Sequence, residues 1–401
     1  MRPRWRDWLQ RRHHPPFPPK VGLVLTGGGA RAAYQVGVLR AIATMLPEGT
    51  RNPFPVICGT SAGAINATSL AVSAKNFHEG VRQLVEVWEN FHVNQVYRSD
   101  PAGVLYNSLR LLTSLALNKH DAISLLDDSP LTKLLSHRLP FRGIQKSINS
   151  GDLYALGITA WGYTSGQSVT FYQGVKDITA WNRERRIGVS ANIGVEHLVA
   201  SSAIPFLFHA KKLNREYFGD GSMRQLAPIS PALHLGAERI LVVGVRDDKL
   251  NMQTDRTKIA DYPPMAQIAG HVMNSIFLDS LDVDLERLQR INEIIQLIPR
   301  EALENNSMQL RPIETMVIYP SEAINKIAEK YSHALPRTMR LAYRAIGAMG
   351  RDGSTLLSYL LFEKPFCQAL IKLGYQDTMA RKNEVLQFIG ADTENLVNVV
   401  S

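Results

Sequence analysis

A serine flanked by two glycines is the part of this sequence whose residue types and spacing point most directly to chemistry. Residues 59–63 read GTSAG, after a short apolar run and before a series of small residues. The pattern is typical of a nucleophile elbow, where bulky neighbours of the serine would clash, so Gly59 and Gly63 flank Ser61. Ser61 would lie at a helix N-terminus, where free N–H groups and the dipole favour developing negative charge. The alternative is an ordinary helix start capped by Thr60 or Ser61.

A glycine-rich loop near the N-terminus could supply the hydrogen-bond donors that acyl transfer requires. Gly27, Gly28 and Gly29 follow an apolar run and precede a helical pattern, so their amides could point at a tetrahedral oxyanion. Gly27, Gly29 and Ala32 also fit the dinucleotide-binding fingerprint, but no acidic residue ends the second strand, as that fingerprint requires. No Gly-Lys-Ser/Thr follows, which excludes a Walker loop. An anion hole therefore fits this loop better than a cofactor site.

A nucleophilic serine also needs a base. None of the histidines considered for this role has a glycine-flanked, loop-like setting, so we interpret them as surface or packing residues: His197, His209, His234 and His271. Asp220 differs, because the segment FGDGS places it directly after a strand-like run and between two glycines. Gly221 would permit a positive φ there, and the carboxylate could face a nearby serine. The alternative is a plain Asp-Gly turn.

The elements that must position these residues follow the pattern of an α/β fold. Residues 21–46 and 54–74 each read as strand, glycine turn and helix, and two such units close together predict parallel strands. Residues 152–174 contain two strand-like runs about a TSGQ turn, which predicts a hairpin. Further strands are predicted at residues 240–245 and 313–320, and mostly helical structure at residues 76–150 and from residue 321 onwards.

Four segments, in this order, resemble the patatin-like phospholipase family: GGGARAAYQVGVL, GTSAG, ASSAIPFLF and DGS. The likeness covers about residues 21–245 and continues more weakly to the C-terminus. It implies a three-layer α/β/α fold with a mostly parallel central sheet and a C-terminal helical extension. The expected regions are a basic, proline-rich tail at residues 1–20, an acyl hydrolase domain at residues 21–320 and the helical extension at residues 321–401.

Carried over residue by residue, the resemblance makes Ser61 the nucleophile and Asp220 its base. The residues that match the family's oxyanion-hole motif are Gly27, Gly28, Gly29 and Arg31. Ser222 stands where the family commonly has glycine or alanine, and its hydroxyl could lie beside the dyad. The implied function is hydrolysis of fatty-acyl esters of phospholipids or lysophospholipids through an acyl-enzyme. A general carboxylesterase or thioesterase with the same dyad is the alternative.

The charge and the leucine-rich segments bear on partners. The formal net charge is +9, a basic excess that is spread along the chain and would suit an anionic lipid surface. No nucleic-acid-binding motif accompanies it, so we expect no nucleic-acid partner. Arg337, Arg340 and Arg344 recur at helical spacing, and they either meet lipid phosphates or form a solvated helix face. Residues 104–117 form either part of an acyl channel or lid, or a buried core helix.

Cysteine usage and hydropathy indicate the cellular compartment. Cys58 and Cys367 are widely separated, which gives neither a disulfide framework nor zinc-ligand spacing. The first twenty residues lack the apolar core of a secretory signal, and no stretch reaches the roughly 18 apolar residues of a membrane span. We therefore expect a cytoplasmic protein that contacts the inner membrane face peripherally. We expect it to work without a metal or cofactor, since no metal-ligand pattern is visible.

Overall fold

Ten strands of the described residues form one sheet, and it carries the residues singled out above. The computed structural model of the protein describes residues 20–98, 126–246, 262, 264–277, 279–299, 310–350 and 353–391. In chain order, the strands are β1 Val21–Leu25, β2 Val56–Thr60, β3 Ala155–Gly162, β4 Ser168–Gly174, β5 Trp181–Arg183, β6 Arg186–Ser190, β7 Lys211–Leu213, β8 Glu216–Asp220, β9 Arg239–Val243 and β10 Glu314–Ile318.

The strand order puts β1 at the centre of a parallel block. The order is β10-β9-β1-β2-β3-β4-β6-β5, with β8 paired to β3 and β7 paired to β8. Strands β10, β9, β1, β2 and β3 run parallel. Strand β3 pairs antiparallel with β4, as the hairpin prediction requires, and also with β8. The predicted mostly parallel central sheet is confirmed.

Helices connect the strands and cover the sheet. They are α1 Ala33–Met45, α2 Ala62–Val72, α3 Phe77–Glu89, α4 Ser129–Arg138, α5 Arg142–Asn149, α6 Val195–Ser201, α7 Ser230–His234, α8 Met265–Phe277, α9 Asp279–Leu297, α10 Ile324–Tyr331, α11 Arg337–Ala345, α12 Ser354–Leu360, α13 Lys364–Ala380 and α14 Lys382–Ile389. Among the described residues, no helix is long and apolar enough to cross a membrane.

Both faces of the sheet are buried, which gives the three-layer arrangement. On β1, Leu23 and Leu25 belong to the core shared with α1, α2 and α13, whereas Val24 belongs to the core on the opposite face, with α7 and α9. A strand buried on both faces needs apolar side chains at every position, since each direction meets a packed layer. This explains the continuous apolar run VGLVL, and the predicted α/β/α fold class is confirmed.

The C-terminal helices pack directly onto the sheet-covering layer. A Cβ on Gly37 of α1 would meet the backbone of Ile371 in α13, and a Cβ on Gly374 would meet the backbone of Tyr34. Glycine at both positions therefore allows the two helix backbones to approach closely. The predicted helical extension is confirmed as a helical region, and it shares one hydrophobic core with residues before position 320.

Two predictions fall on parts of the chain that lie outside the described residues. These are the basic tail, apart from Lys20, and the leucine-rich residues 104–117. Within the described part of residues 76–150, the helical prediction is confirmed by α3, α4 and α5.

Candidate active site

Ser61 occupies a strained turn between β2 and α2. Its backbone has φ 53° and ψ −130°, and the residue is 2% exposed. A positive φ is costly for a non-glycine residue and persists only where the surrounding structure fixes it. The flanking glycines allow this close packing, since a Cβ on Gly59 would meet Gly63 and Ala64, and a Cβ on Gly63 would meet the Leu25 carbonyl. The GTSAG segment thus forms a tight strand-to-helix turn against the end of β1.

A second serine, Ser201, holds this turn, although no pattern in the sequence marks it for such a role. The Ser61 amide donates to Ser201 Oγ at 2.9 Å, and that hydroxyl donates to the Thr159 carbonyl at 2.6 Å. Ser201 ends α6 and is fully buried. The segment ASSAIPFLF marked this region of the chain, but a partner for the Ser61 amide could not be identified without the fold.

Asp220 lies at the end of β8, beside the serine turn. Residue Thr60 pairs with Thr159 across β2 and β3, and the next residue of β3, Ala160, pairs with Asp220. The sheet therefore brings the end of β8 next to the end of β2. Asp220 is 0% exposed, and its Oδ1 accepts the Ser222 amide at 2.9 Å.

Burial raises the pKa of the Asp220 carboxyl to about 6, because the charged form loses its hydration. The nearby Ser61 hydroxyl, the Ser222 amide that donates to Oδ1, and the nearby Ser222 hydroxyl oppose this rise, because they favour the charged form. Oδ2 has no partner of full hydrogen-bond geometry among the described residues. The Ser61 side chain is thus close enough to affect the Asp220 carboxyl, although no hydrogen bond joins the two side chains among the described residues; catalytic hydrogen bonds are often long or absent before substrate binds.

Glycine is required at position 221 for a different reason from the one predicted. Gly221 is not among the glycines with positive φ, so the expectation that it permits a left-handed turn is wrong. A Cβ on Gly221 would instead collide with the Thr159 carbonyl and approach Thr60. The turn is further tied to the serine strand by a hydrogen bond of 2.9 Å from Thr60 Oγ1 to Gln225 Oε1.

The glycine loop after β1 lies against both parts of the site. A Cβ on Gly27 would meet the Ser222 hydroxyl, and Gly29 shares the lining of one cavity with Ser61. Gly29 has φ 54° and packs on the Tyr359 carbonyl. None of the hydrogen bonds within the described residues is donated by the amides of Gly27, Gly28 or Gly29. These amides are therefore available to an oxyanion.

The Arg31 side chain binds residues of α12. Its amide donates to the Gly28 carbonyl at 3.1 Å, and its Nε donates to Ser358 Oγ at 2.7 Å. The guanidinium also stacks over the Tyr359 ring at 4.1 Å. The side chain thus fastens the glycine loop, which matches the family's oxyanion-hole motif, to α12.

A buried polar chain fixes the base of the same loop. Gln35 Nε2 donates to the Thr26 carbonyl at 2.7 Å, and Asn66 Nδ2 donates to Gln35 Oε1 at 3.0 Å. Trp88 Nε1 completes the chain by donating to Asn66 Oδ1 at 2.9 Å. Satisfied networks of this kind rigidify their surroundings, because breaking one bond leaves a buried polar group unpaired.

An apolar cavity of about 460 Å³ extends from Ser61 along one face of α2. Ala62, Ile65 and Ser69 line it at helical spacing. The cavity therefore follows α2 from Ser61 to Ser69, a distance of about 12 Å at about 1.5 Å per residue. Other wall residues are mostly aliphatic or aromatic, including Leu84, Trp88, Leu131, Leu135, Phe208 and Phe362. Charged side chains stand at the outer end, where Arg138 Nη1 lies 3.9 Å from Glu86 Oε1.

The four histidines considered as bases lie elsewhere, since none of them lines this cavity. Burial lowers the pKa of His197, whose Nδ1 accepts the Gly194 amide at 3.1 Å. His234 stacks on Trp181 at 4.8 Å, and burial, followed by the charges of Arg183 and Arg186, lowers its pKa to about 4. Both are packing residues in this fold, as interpreted from the sequence.

Comparison with known proteins agrees with this architecture. The profile of the patatin-like phospholipase family matches residues 23–233, which include most of β1, the serine turn, β8 and the Asp-Gly turn. Because this match covers more than half of the chain, the protein belongs to the patatin-like phospholipase family.

Individual relatives are more distant. Over 213 residues the chain is 28% identical to a protein of Pseudomonas aeruginosa (strain BWHPSA011 / Pa011) named cGAMP-activated phospholipase. The match covers 53% of this chain and 55% of the relative, so the chain spans just over half of that protein's length.

Two solved structures are similar to this chain over most of its length. Human GIVD cytosolic phospholipase A2 is 10% identical with a TM-score of 0.43, covering 93% of this chain and 60% of its own. VipD from Legionella pneumophila is 12% identical with a TM-score of 0.35, covering 92% of this chain and 67% of its own. At these scores the fold assignment depends on the family match and on the sheet described above.

Proposed function

We propose that this protein is a serine lipid acyl hydrolase that cleaves fatty-acyl esters of phospholipids or lysophospholipids through Ser61 and Asp220. One observation carries the proposal. A buried serine in a strained turn lines an apolar cavity, and a buried carboxyl lies beside it. Strain at a buried polar residue is uncommon outside functional sites.

The raised pKa suits Asp220 to the role of base. An aspartate of ordinary pKa holds a proton weakly, whereas a carboxyl with a pKa of about 6 accepts one more readily and is still ionised at neutral pH. In the first step the Ser61 hydroxyl oxygen bonds to the ester carbonyl carbon, and its proton passes to Asp220. The Ser222 amide, which donates to Oδ1 at 2.9 Å, holds the carboxylate in place.

The glycine loop supplies the stabilisation of the oxyanion. The free amides of Gly28 and Gly29 face the developing charge, and one such donor is worth about 3–4 kcal/mol of transition-state stabilisation. Collapse of the tetrahedral intermediate breaks the ester C–O bond, and the leaving alcohol takes the proton from Asp220. Water then attacks the acyl-enzyme by the same route, which releases the fatty acid and restores Ser61.

The cavity supports a lipid substrate. Its volume of about 460 Å³ falls in the usual range for ligand pockets. Its walls from α2, α3 and α4 are mostly apolar, so an acyl chain could lie along α2 with its carbonyl at Ser61. The family membership and the phospholipase relative agree with such a substrate.

A fluorophosphonate probe tests the nucleophile. We expect the native protein to be labelled covalently and Ser61→Ala to lose all labelling. Ser147→Ala is a matched control, because Ser147 is also buried but lies on α5, and it should label normally. Labelling that persists in Ser61→Ala would refute the assignment.

Mass spectrometry of products tests the substrate class. Native protein incubated with mixed phospholipids and lysophospholipids should release fatty acids, and Ser61→Ala should not. Soluble carboxylic esters and acyl thioesters belong in the same panel. A protein that cleaves only these would be a general esterase or thioesterase with the same dyad.

A further inference from the structure

Helices α8 and α11 form a surface that combines exposed apolar and basic side chains. On α8, Met265, Ile268 and Val272 recur at helical spacing, and Met265 is 73% exposed. On α11, Leu341 is 66% exposed between the exposed Arg337 and Arg344. We call this surface the α8–α11 face. Met265, Ile268 and Val272 lie one turn apart on a single helix face, and exposed apolar side chains grouped in this way can mark an interaction site.

The α8–α11 face carries positive charge and no negative charge on its two helices. Neither helix contains an aspartate or glutamate. Among the salt bridges and hydrogen bonds of the described residues, none involves the guanidinium groups of Arg337, Arg340 or Arg344. Elsewhere in the described chain, Arg239 and Arg381 are bound by carboxylates. The three arginines of α11 thus leave their charge open to a partner.

The start of α8 meets the end of α11, and the inner sides of both helices contact residues close to the candidate active site. The Ala266 amide donates to the Ile346 carbonyl at 3.0 Å, which joins the start of α8 to the end of α11. On the inner side, the Phe277 ring lies where a Cβ on Gly27 would be. The buried Tyr343 hydroxyl bonds to Tyr97 Oη at 2.8 Å, and Tyr97 also donates to the carbonyl of the cavity residue Leu360.

We propose that the α8–α11 face docks this protein on an anionic lipid bilayer. Met265, Ile268 and Leu341 enter the boundary between headgroups and acyl chains, and the flanking arginines bind lipid phosphates, as in interfacial amphipathic helices. A second copy of the chain is a poorer occupant, because a two-fold interface would bring the like-charged arginine clusters of both copies together. The inference goes beyond the proposed hydrolysis, and its test does not require activity.

The test is co-sedimentation of the full chain with vesicles, in the Ser61→Ala background so that no lipid is consumed. Vesicles of phosphatidylcholine mixed with phosphatidylglycerol are compared with phosphatidylcholine alone. The variant replaces Arg337, Arg340 and Arg344 with glutamine. Each basic residue near an anionic surface contributes about fivefold in affinity, so the triple variant should bind on the order of a hundredfold more weakly. Near 1 M salt should weaken native binding as well.

A matched control removes the same charge from another surface. Arg142, Lys146 and Lys176 are exposed and form no described salt bridge, and their replacement by glutamine should leave vesicle binding close to native. Leu341→Ser tests the apolar part and should weaken binding without changing the net charge. When Ser61 is intact, the arginine variant should be labelled by a soluble fluorophosphonate to the same extent as the native protein.

Three results would overturn the docking proposal. One is equal loss of binding in the two triple variants, which would mean that only net charge matters. Another is equal native binding to vesicles with and without phosphatidylglycerol. The last is a lipid-free dimer that Leu341→Ser dissociates, which would make the face a contact between copies. Absence of hydrolysis alongside selective vesicle binding would refute the proposed activity and leave the docking face standing.

Discussion

Replacing Asp220 by asparagine should stabilise this protein while it abolishes hydrolysis. Burial raises the pKa of the Asp220 carboxyl from its ordinary value of 3.8 to about 6. Each tenfold change in an acid constant is worth about 1.4 kcal/mol, so the ionised carboxylate costs about 3 kcal/mol of folding free energy at neutral pH. Asparagine removes the charge, keeps an oxygen for the Ser222 amide and puts an NH₂ group at the unpartnered Oδ2 position.

The pH dependence of this gain follows from the direction of the pKa change. Below pH 3.8 both the folded and the unfolded chain hold the proton, and the ionisation of Asp220 costs nothing. Between pH 3.8 and about 6 the unfolded chain loses its proton first, so native stability falls relative to Asp220→Asn as pH rises. Above about pH 6 the whole cost is present. The variant should therefore gain up to about 3 kcal/mol at pH 8 and only about 0.5 kcal/mol at pH 4.

Urea unfolding of both proteins at pH 4 and pH 8 measures these differences. Asp152→Asn is a suitable control, because Asp152 is also buried but Arg51 pairs with it at 3.2 Å, and its replacement should not stabilise the chain. The reasoning is refuted if Asp220→Asn destabilises the protein at pH 8, or if its gain is the same at both pH values. A variant that keeps full hydrolytic activity would refute the role of Asp220 as base.

Three further predictions concern the reaction. In pH–rate profiles, kcat/KM should rise about tenfold per pH unit up to a midpoint near 6 and then level off, because Asp220 must be ionised to act as the base. His197→Asn and His234→Asn should leave that midpoint unchanged. Ser201→Ala leaves the buried Ser61 amide without its acceptor, and an unpaired buried donor costs about 1–3 kcal/mol. We therefore expect kcat and the labelling rate to fall roughly 5- to 150-fold with KM little changed. Leu135→Trp should fill part of the cavity, so hydrolysis of long-chain esters should fall while short-chain esters react normally; equal loss for all chain lengths would contradict the cavity's role.

Local patterns were enough to predict the turns and strands that carry the site. The run VGLVL predicts a strand because a strand buried on both faces needs apolar side chains at every position. The GTSAG segment predicts a tight turn because Ser61 can hold a positive φ there only if its neighbours are small. The hairpin of β3 and β4 also follows from its turn residues. These features depend on residues that are adjacent in the chain, so the sequence alone determined them.

The tertiary structure decided the features that depend on distant residues. Sheet pairing puts Asp220 beside the serine turn, and complete burial there raises its pKa, which no local pattern records. The same holds for the Ser201 hydroxyl that binds the Ser61 amide, and for Arg31, whose partner lies on α12. Gly221 was expected to relieve a backbone angle and is required instead by the nearby Thr159 carbonyl. The desolvation of a carboxyl and the close approach of two backbones both depend on the residues that the fold packs against them. These features are therefore decided only in the folded chain.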